Sequence, residues 1–121
     1  MAEHTNFGIK GEDLAVNFLK SKNYIILERN WRINHKEIDI IAKKDNTIVL
    51  VEVKSRSTLA FGEPEEAVGI KKQKLLIDAA EAYLIQNNID LDVQFDIISI
   101  VKIKNNYEIK HIESAFYSEI E

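Results

Sequence analysis

A chain of 121 residues is expected to form a single domain over residues 1–121, with one core of ordinary size. Its 45% hydrophobic and 30% charged residues exclude a disordered chain, and no apolar run approaches the ~18 residues of a membrane span. The lack of cysteine excludes disulfides and thiolate metal sites, and a net charge of −4 excludes a global attraction to nucleic acid, which would need a local basic patch.

The chain opens with "MAEHTNFGIKGED", which lacks the basic and apolar segments of a signal peptide, so a cytoplasmic protein is the expectation. Leu14, Ala15, Phe18 and Leu19 recur at helical spacing and predict an amphipathic helix over residues 8–22. "YIILERNWRI" (24–33) is β-prone and reads as a strand. "EIDIIAKK" and "TIVLVEVKS" read as two more, joined by a tight turn at Asp45-Asn46. "STLAFGEPEEAVG" (57–69) is loop-like until Pro64 and the two glutamates after it, which suit the first turn of a helix. From Ile70 to about Asn87, Leu76, Ala80, Tyr83 and Leu84 mark a buried helical stripe. "LDVQFDIISIVKI" (91–103) is a strand, and Asn105-Asn106 turns it into "YEIKHI" (107–112). The order αβββαββ predicts an α/β domain, a mixed central sheet of about five strands flanked by helices.

The hairpin "EIDIIAKKDNTIVLVEVKSR" carries charge inside its most apolar strands. Strand alternation puts Val49, Val51 and Val53 on one face and Leu50, Glu52 and Lys54 on the other. With Asp45 and Asn46 as the turn, Asp39 falls opposite Glu52, Glu37 opposite Lys54, and Ile41 opposite Leu50. Directly opposed carboxylates, with Cβ atoms roughly 4.5–5.5 Å apart, repel. They are unfavourable unless a cation lies between them or a proton is shared. Hard oxygen ligands at that separation suit Mg²⁺, and Lys54 on the same face could reach a phosphate oxygen or a water at the ion. Such parts suit metal-assisted phosphodiester hydrolysis.

The ordinary alternative is a solvated hairpin face. Val and Ile on both faces near these charges speak instead for a central strand, where buried charge needs a partner. Glu12 flanks the apolar stripe of the first helix and could point to the sheet as a third acid, or simply favour a helix N-terminus. Lys71, Lys72 and Lys74 of "IKKQK", with Lys54 and Arg56, could form a basic patch for phosphates, or a solvated helix start. Trp31 is expected beside the core, and Phe61 is a candidate base contact. His4, His35 and His111 show no metal-ligand spacing, and His35, near Glu37, could contact a phosphate, with a surface histidine as the default. Asp96, in "FDII", is expected to pair with a basic side chain or cap a local turn.

Asp, a spacer and Glu-X-Lys across a hairpin resemble the PD-(D/E)XK nuclease core, the restriction-endonuclease-like fold shared with archaeal-type Holliday junction resolvases. More closely, the chain resembles the YraN-like family of uncharacterised bacterial proteins, predicted endonucleases. The matching pieces are "GIKGEDLAVNFL", "ILERNWR", "EIDIIA", "VLVEVKSR", "FGEPEEAV", "KKQKLLIDAAEAYL", "FDIISI" and "HIESAF", nearly the full length in the family's order. The family usually has Gly where Lys36 stands and commonly Arg where Gln94 stands.

The resemblance implies a Mg²⁺- or Mn²⁺-dependent nuclease acting on DNA, branched or damaged. Asp39 and Glu52 would be the metal ligands, with the carbonyl of Val53 as a further one. Lys54 would position the attacking water, and Glu12 would assist at the metal or water. Glu37 would be an outer acid, Arg56 a phosphate contact, and Gln73 a supporting helix glutamine. Resolvases cut two strands symmetrically with two sites, which carries the expectation of a homodimer. The alternative is a nucleic-acid-binding or interaction module of the same fold with little or no activity.

Overall fold

The computed structural model describes residues 3–56 and 69–116, with side chains from Gly11 onward. Its elements are α1 (Glu3–Ser21), β1 (Ile25–Ile33), β2 (Lys36–Lys44), β3 (Thr47–Arg56), α2 (Ile70–Gln86), β4 (Asp92–Ile103) and β5 (Asn106–Phe116). This is the expected order αβββαββ. The first helix starts earlier than residue 8, and the last strand runs past residue 112. Phe61 and Pro64 lie outside the described residues. No helix among the described residues is long and apolar enough to cross a membrane.

Both helices end through asparagine. Asn23 adopts a left-handed φ of 71°, which lets Tyr24 N–H reach the Leu19 carbonyl at 3.0 Å. Asn88, at φ 53°, does the same for Ile89 N–H and the Leu84 carbonyl at 2.9 Å. These bonds satisfy carbonyls that the helix itself leaves open, and asparagine tolerates the left-handed conformation.

The five strands lie in the order β1-β2-β3-β4-β5, with β3 and β4 parallel and every other pair antiparallel. Both faces are covered. On one, Ala15, Val16 and Leu19 of α1 pack with Ile40, Val49, Val51, Ile98 and Ile100. On the other, Leu76, Ala79, Ala80 and Tyr83 of α2 pack with Ile38, Ile41, Leu50, Phe95 and Ile97. This two-sided burial explains why β3 and β4 are apolar almost throughout. Trp31 packs beside the second cluster and meets Tyr83 edge to face, 5.1 Å between ring centroids.

The Asp45-Asn46 turn joins the pair Lys44–Thr47, as the sequence predicts. The last hairpin turns at Lys104-Asn105, one residue earlier than expected. Its positive φ, 55°, falls on Lys104, and Asn106 already pairs with Ile103. Within β2 the alternation breaks. Ile40 and Ala42 face α1, but Ile38 faces α2 together with Ile41. The reversal falls at Asp39.

Candidate active site

The β2–β3 ladder has the register set by its turn, with Ile41 opposite Leu50, and it ends at Ile40–Val51. Asp39 and Glu52 are the next residue on each strand. They come together as expected, but not as a further ladder pair. The N–H of Val53 donates to Asp39 Oδ2 at 2.8 Å, so the carboxylate fills the fork between the strands. Glu37 does not stand opposite Lys54. β2 leaves β3 after Ile40 and stays paired with β1 as far as Lys36, so Glu37 accepts from Arg32 Nε at 3.2 Å.

Glu52 is 5% exposed and lies beside Leu50 and Leu76 on the α2 face. Lys54 Nζ stands 3.4 Å from its Oε2, and Lys72 Nζ, from the first turn of α2, stands 3.3 Å from the same atom. The Asp39 and Glu52 carboxyl groups are within hydrogen-bonding reach of each other. Burial first, and the charge of Glu52 second, push the Asp39 carboxyl from 3.8 up to about 7, against the opposing pull of the Val53 N–H. Near neutral pH the Asp39 carboxyl is therefore part-protonated beside Glu52, whose carboxylate Lys54 and Lys72 meet.

Glu12 is held at the same fork from the α1 side. Its Oε1 accepts from Asn30 Nδ2 at 2.8 Å and Arg29 Nη2 at 3.1 Å, and its charge adds to the upward push on Asp39. Asn30 has φ 53° in mid-strand, a conformation asparagine tolerates. Gly11 sets the approach of α1, since a Cβ there would collide with Ser55 Oγ on β3. Arg29 and Asn30 were not singled out in the sequence. "ERN" between apolar residues in an otherwise β-prone run was the signal, because polar residues on a strand that faces a helix need partners there.

The remaining candidates are dispersed. Lys71 and Lys74 are exposed on α2, whereas Lys72 reaches the acid pair. Gln73 is half-buried, and its N–H donates to the Gly69 carbonyl at 2.9 Å. Arg56 Nη1 donates to the Ser55 carbonyl at 3.4 Å. Among the described residues, no three His, Cys, Asp or Glu side chains converge as a metal-binding group, so the donor set is the acid pair itself.

Asp96 is 1% exposed, and its carboxylate takes three donors. These are Gln94 Nε2 at 2.9 Å, Ser114 N–H at 3.0 Å and His111 Nε2 at 2.7 Å. His111 is half-buried with its ring held by Asp96, and Gln94, where the family commonly has Arg, still meets an acid.

The family model described as Uncharacterised protein family UPF0102 matches residues 11–100. A UPF0102 protein of Flavobacterium psychrophilum is 50% identical over 117 residues, which cover 97% of this chain and 98% of that protein. One of Bacteroides thetaiotaomicron is 48% identical over 117 residues, with 97% of each chain covered. One of Alkaliphilus oremlandii is 48% identical over 112 residues, covering 90% of this chain and 96% of the relative.

Proposed function

The chain belongs to the UPF0102 family, as its YraN-like motifs imply, and from the geometry of its acid pair we propose that it is a metal-dependent nuclease hydrolysing DNA phosphodiester bonds. The observation that carries this reading is the meeting of Asp39 and Glu52 at the β2–β3 fork, with the Asp39 carboxyl raised to about 7 and Lys54 3.4 Å from Glu52. Two buried carboxylates, one of them pushed toward its protonated form by burial and by the other's charge, are a hard-oxygen donor set whose repulsion a divalent cation would relieve. They fit Mg²⁺ or Mn²⁺.

Asp39 and Glu52 would hold the ion, with the Val53 carbonyl as a further ligand. When bound, such an ion supplies a Lewis acid and eases deprotonation of water at the site. The Val53 N–H fixes the Asp39 carboxylate, so its orientation does not depend on a free rotamer. Lys54 orients the attacking water and stabilises charge developing on the phosphate. Glu12, held by Arg29 and Asn30, supports this shell from α1. Arg56, Lys71, Lys72 and Lys74 contact DNA phosphates, while Glu37 and Gln73 have supporting roles. Branched or damaged DNA is the favoured substrate, and a homodimer would place two such sites for symmetric cutting.

One observation favours a second reading. Lys54 and Lys72 already lie within 3.4 Å of Glu52, so its charge is matched without a metal. A nucleic-acid-binding module with little activity would look the same. Titrating Mg²⁺ and Mn²⁺ into the wild type and Glu52→Gln, beside Mn²⁺ cleavage assays on single-stranded, duplex and four-way-junction DNA, separates the two. A nuclease binds metal through Glu52 and cuts at least one substrate. DNA binding that survives Asp39→Asn, without metal binding or cleavage in the wild type, supports the module.

A further inference from the structure

A second site lies on the other face of the sheet, near the Asp45-Asn46 turn and away from the acid pair. There α1, β3, β4 and β5 surround a pocket of about 630 Å³. That is a ligand-sized volume, within the usual range of roughly 300–1,000 Å³. Val49 in its wall packs with α1, whereas Glu52 sits on the α2 face about 10 Å further along β3.

The wall of this pocket includes a fixed imidazole. The side chain of His111 is 11% exposed, and its Nε2 is bonded to the fully buried carboxylate of Asp96 at 2.7 Å. Phe18 and Tyr24 stand edge-on to the ring, with centroids 5.9 and 6.0 Å away. Asp96 is itself locked. Between the pairs Phe95–Phe116 and Ile97–Ile112, β4 has one residue and β5 has three, and this bulge turns the Ser114 N–H onto Asp96. With Nε2 committed, Nδ1 is the ring's remaining polar atom, and it has no hydrogen-bond partner among the described residues.

Two ammonium groups flank the same space. Lys22 Nζ lies 5.4 Å from the Phe18 ring centroid, and Lys44 Nζ lies 4.8 Å from that of Tyr24. Lys44 Nζ also donates to the Lys22 carbonyl. Among the described residues neither lysine is in an ion pair. Asp45 and Glu113 also line the pocket and equal the two ammonium groups in number, which disfavours a polyanion and leaves one compact anionic group, seated between the lysines, as the match.

We propose that this pocket binds a terminal phosphate monoester, its oxygens held by Lys22, Lys44 and Nδ1 of His111. The number of donors supports a phosphate over a carboxylate. A phosphate monoester offers three terminal acceptor oxygens, one for each of these nitrogens, where a carboxylate offers two. The two sources of this group are a free mononucleotide and the 5′-phosphorylated end of a DNA strand. The site is independent of the acid pair and of the function proposed for it.

The test is calorimetric titration in EDTA, which removes any metal from the acid pair. The probes are 2′-deoxyadenosine 5′-monophosphate, a 5′-phosphorylated oligonucleotide, inorganic phosphate and unphosphorylated deoxyadenosine. The proteins are the wild type, Lys22→Gln, Lys44→Gln and Glu52→Gln. Saturable binding of a phosphorylated probe is expected, weakened roughly tenfold or more in each lysine variant and unchanged in Glu52→Gln. Tighter binding of the oligonucleotide identifies a strand end as the source, and tighter binding of the mononucleotide identifies the free nucleotide. The ring nitrogen resonances of His111 should shift with phosphate, a readout that does not need a variant of a residue bonded to Asp96. The proposal is overturned by no saturable binding of either phosphorylated probe, by equal binding of deoxyadenosine, or by loss in Glu52→Gln with the lysine variants unaffected.

Discussion

The main-chain N–H of Val53 donates to Asp39 Oδ2 at 2.8 Å, at the point where the β2–β3 ladder ends. A side chain takes the place of the next ladder acceptor. The same bond closes the fork and aims an acid of β2 at Glu52 of β3.

Stability should report the Asp39 proton directly. The Asp39 carboxyl stands at about 7 in the folded chain, against an ordinary 3.8. Below about pH 4 both folded and unfolded chains keep the proton, and the folded state is at its relative best. Between there and about pH 7 the unfolded chain releases it and the folded chain does not, so stability falls as pH rises, then levels off. At about 1.4 kcal/mol per pKa unit, the fall is on the order of a few kcal/mol. Asp39→Asn keeps an acceptor for Val53 and removes the slope. Thermal melts should find the variant more stable than the wild type above about pH 7, with the gap closing toward pH 4. Parallel profiles would contradict a proton held on Asp39.

Lys54 and Glu52 should separate in kinetics. Lys54→Ala is expected to lower the Mn²⁺-dependent cleavage rate by roughly a hundredfold or more while metal still binds, since the lysine acts on the water and the phosphate. Glu52→Gln should weaken metal binding itself. Single-turnover rates beside metal titrations distinguish the two, with circular dichroism confirming that both variants fold.

Gly11 sets how closely the first helix approaches the sheet. Gly11→Ala should destabilise by about 1 kcal/mol or less, because its Cβ meets Ser55 Oγ, a terminal atom that must rotate away. Removing that oxygen in the double variant Gly11→Ala, Ser55→Ala should restore most of the loss in urea denaturation. A double variant no better than the single one would place the cost elsewhere.

The buried carboxylate of β4 should be intolerant of truncation. Asp96→Ala strands three donors, from Gln94, Ser114 and His111, and should cost about 3–5 kcal/mol in the same assay. Gln94→Ala removes one donor and should cost about 1 kcal/mol.

Much of this arrangement was legible, and for local reasons. The Asp45-Asn46 turn fixes the β2–β3 register, and counting from that register brings Asp39 and Glu52 to the same place, although the ladder ends at Ile40–Val51 and the alternation of β2 breaks at Asp39. The pairing of Glu37 was not legible. A hairpin viewed alone cannot show that β2 abandons β3 and follows β1 instead. His111 was missed for a related reason, since its partner lies on β4 and only the β4–β5 register brings the two together. The usable clue was Asp96 itself, a lone acid in an apolar strand that had to find donors. Lys72 reached Glu52 because α2 packs on the face that carries Leu50, which helix periodicity alone does not reveal.

Among the described residues β1 and β5 each have a neighbouring strand on one side only, and both are irregular. β1 shifts register between Ile26 and Glu28 and carries the left-handed Asn30, while β5 bulges opposite Asp96 with Ser114 at φ 52°. Neither outer strand presents a straight row of open donors and acceptors to another copy. Strand-by-strand growth into fibres or swapped sheets is thereby blunted, and any self-association must use side-chain surfaces instead.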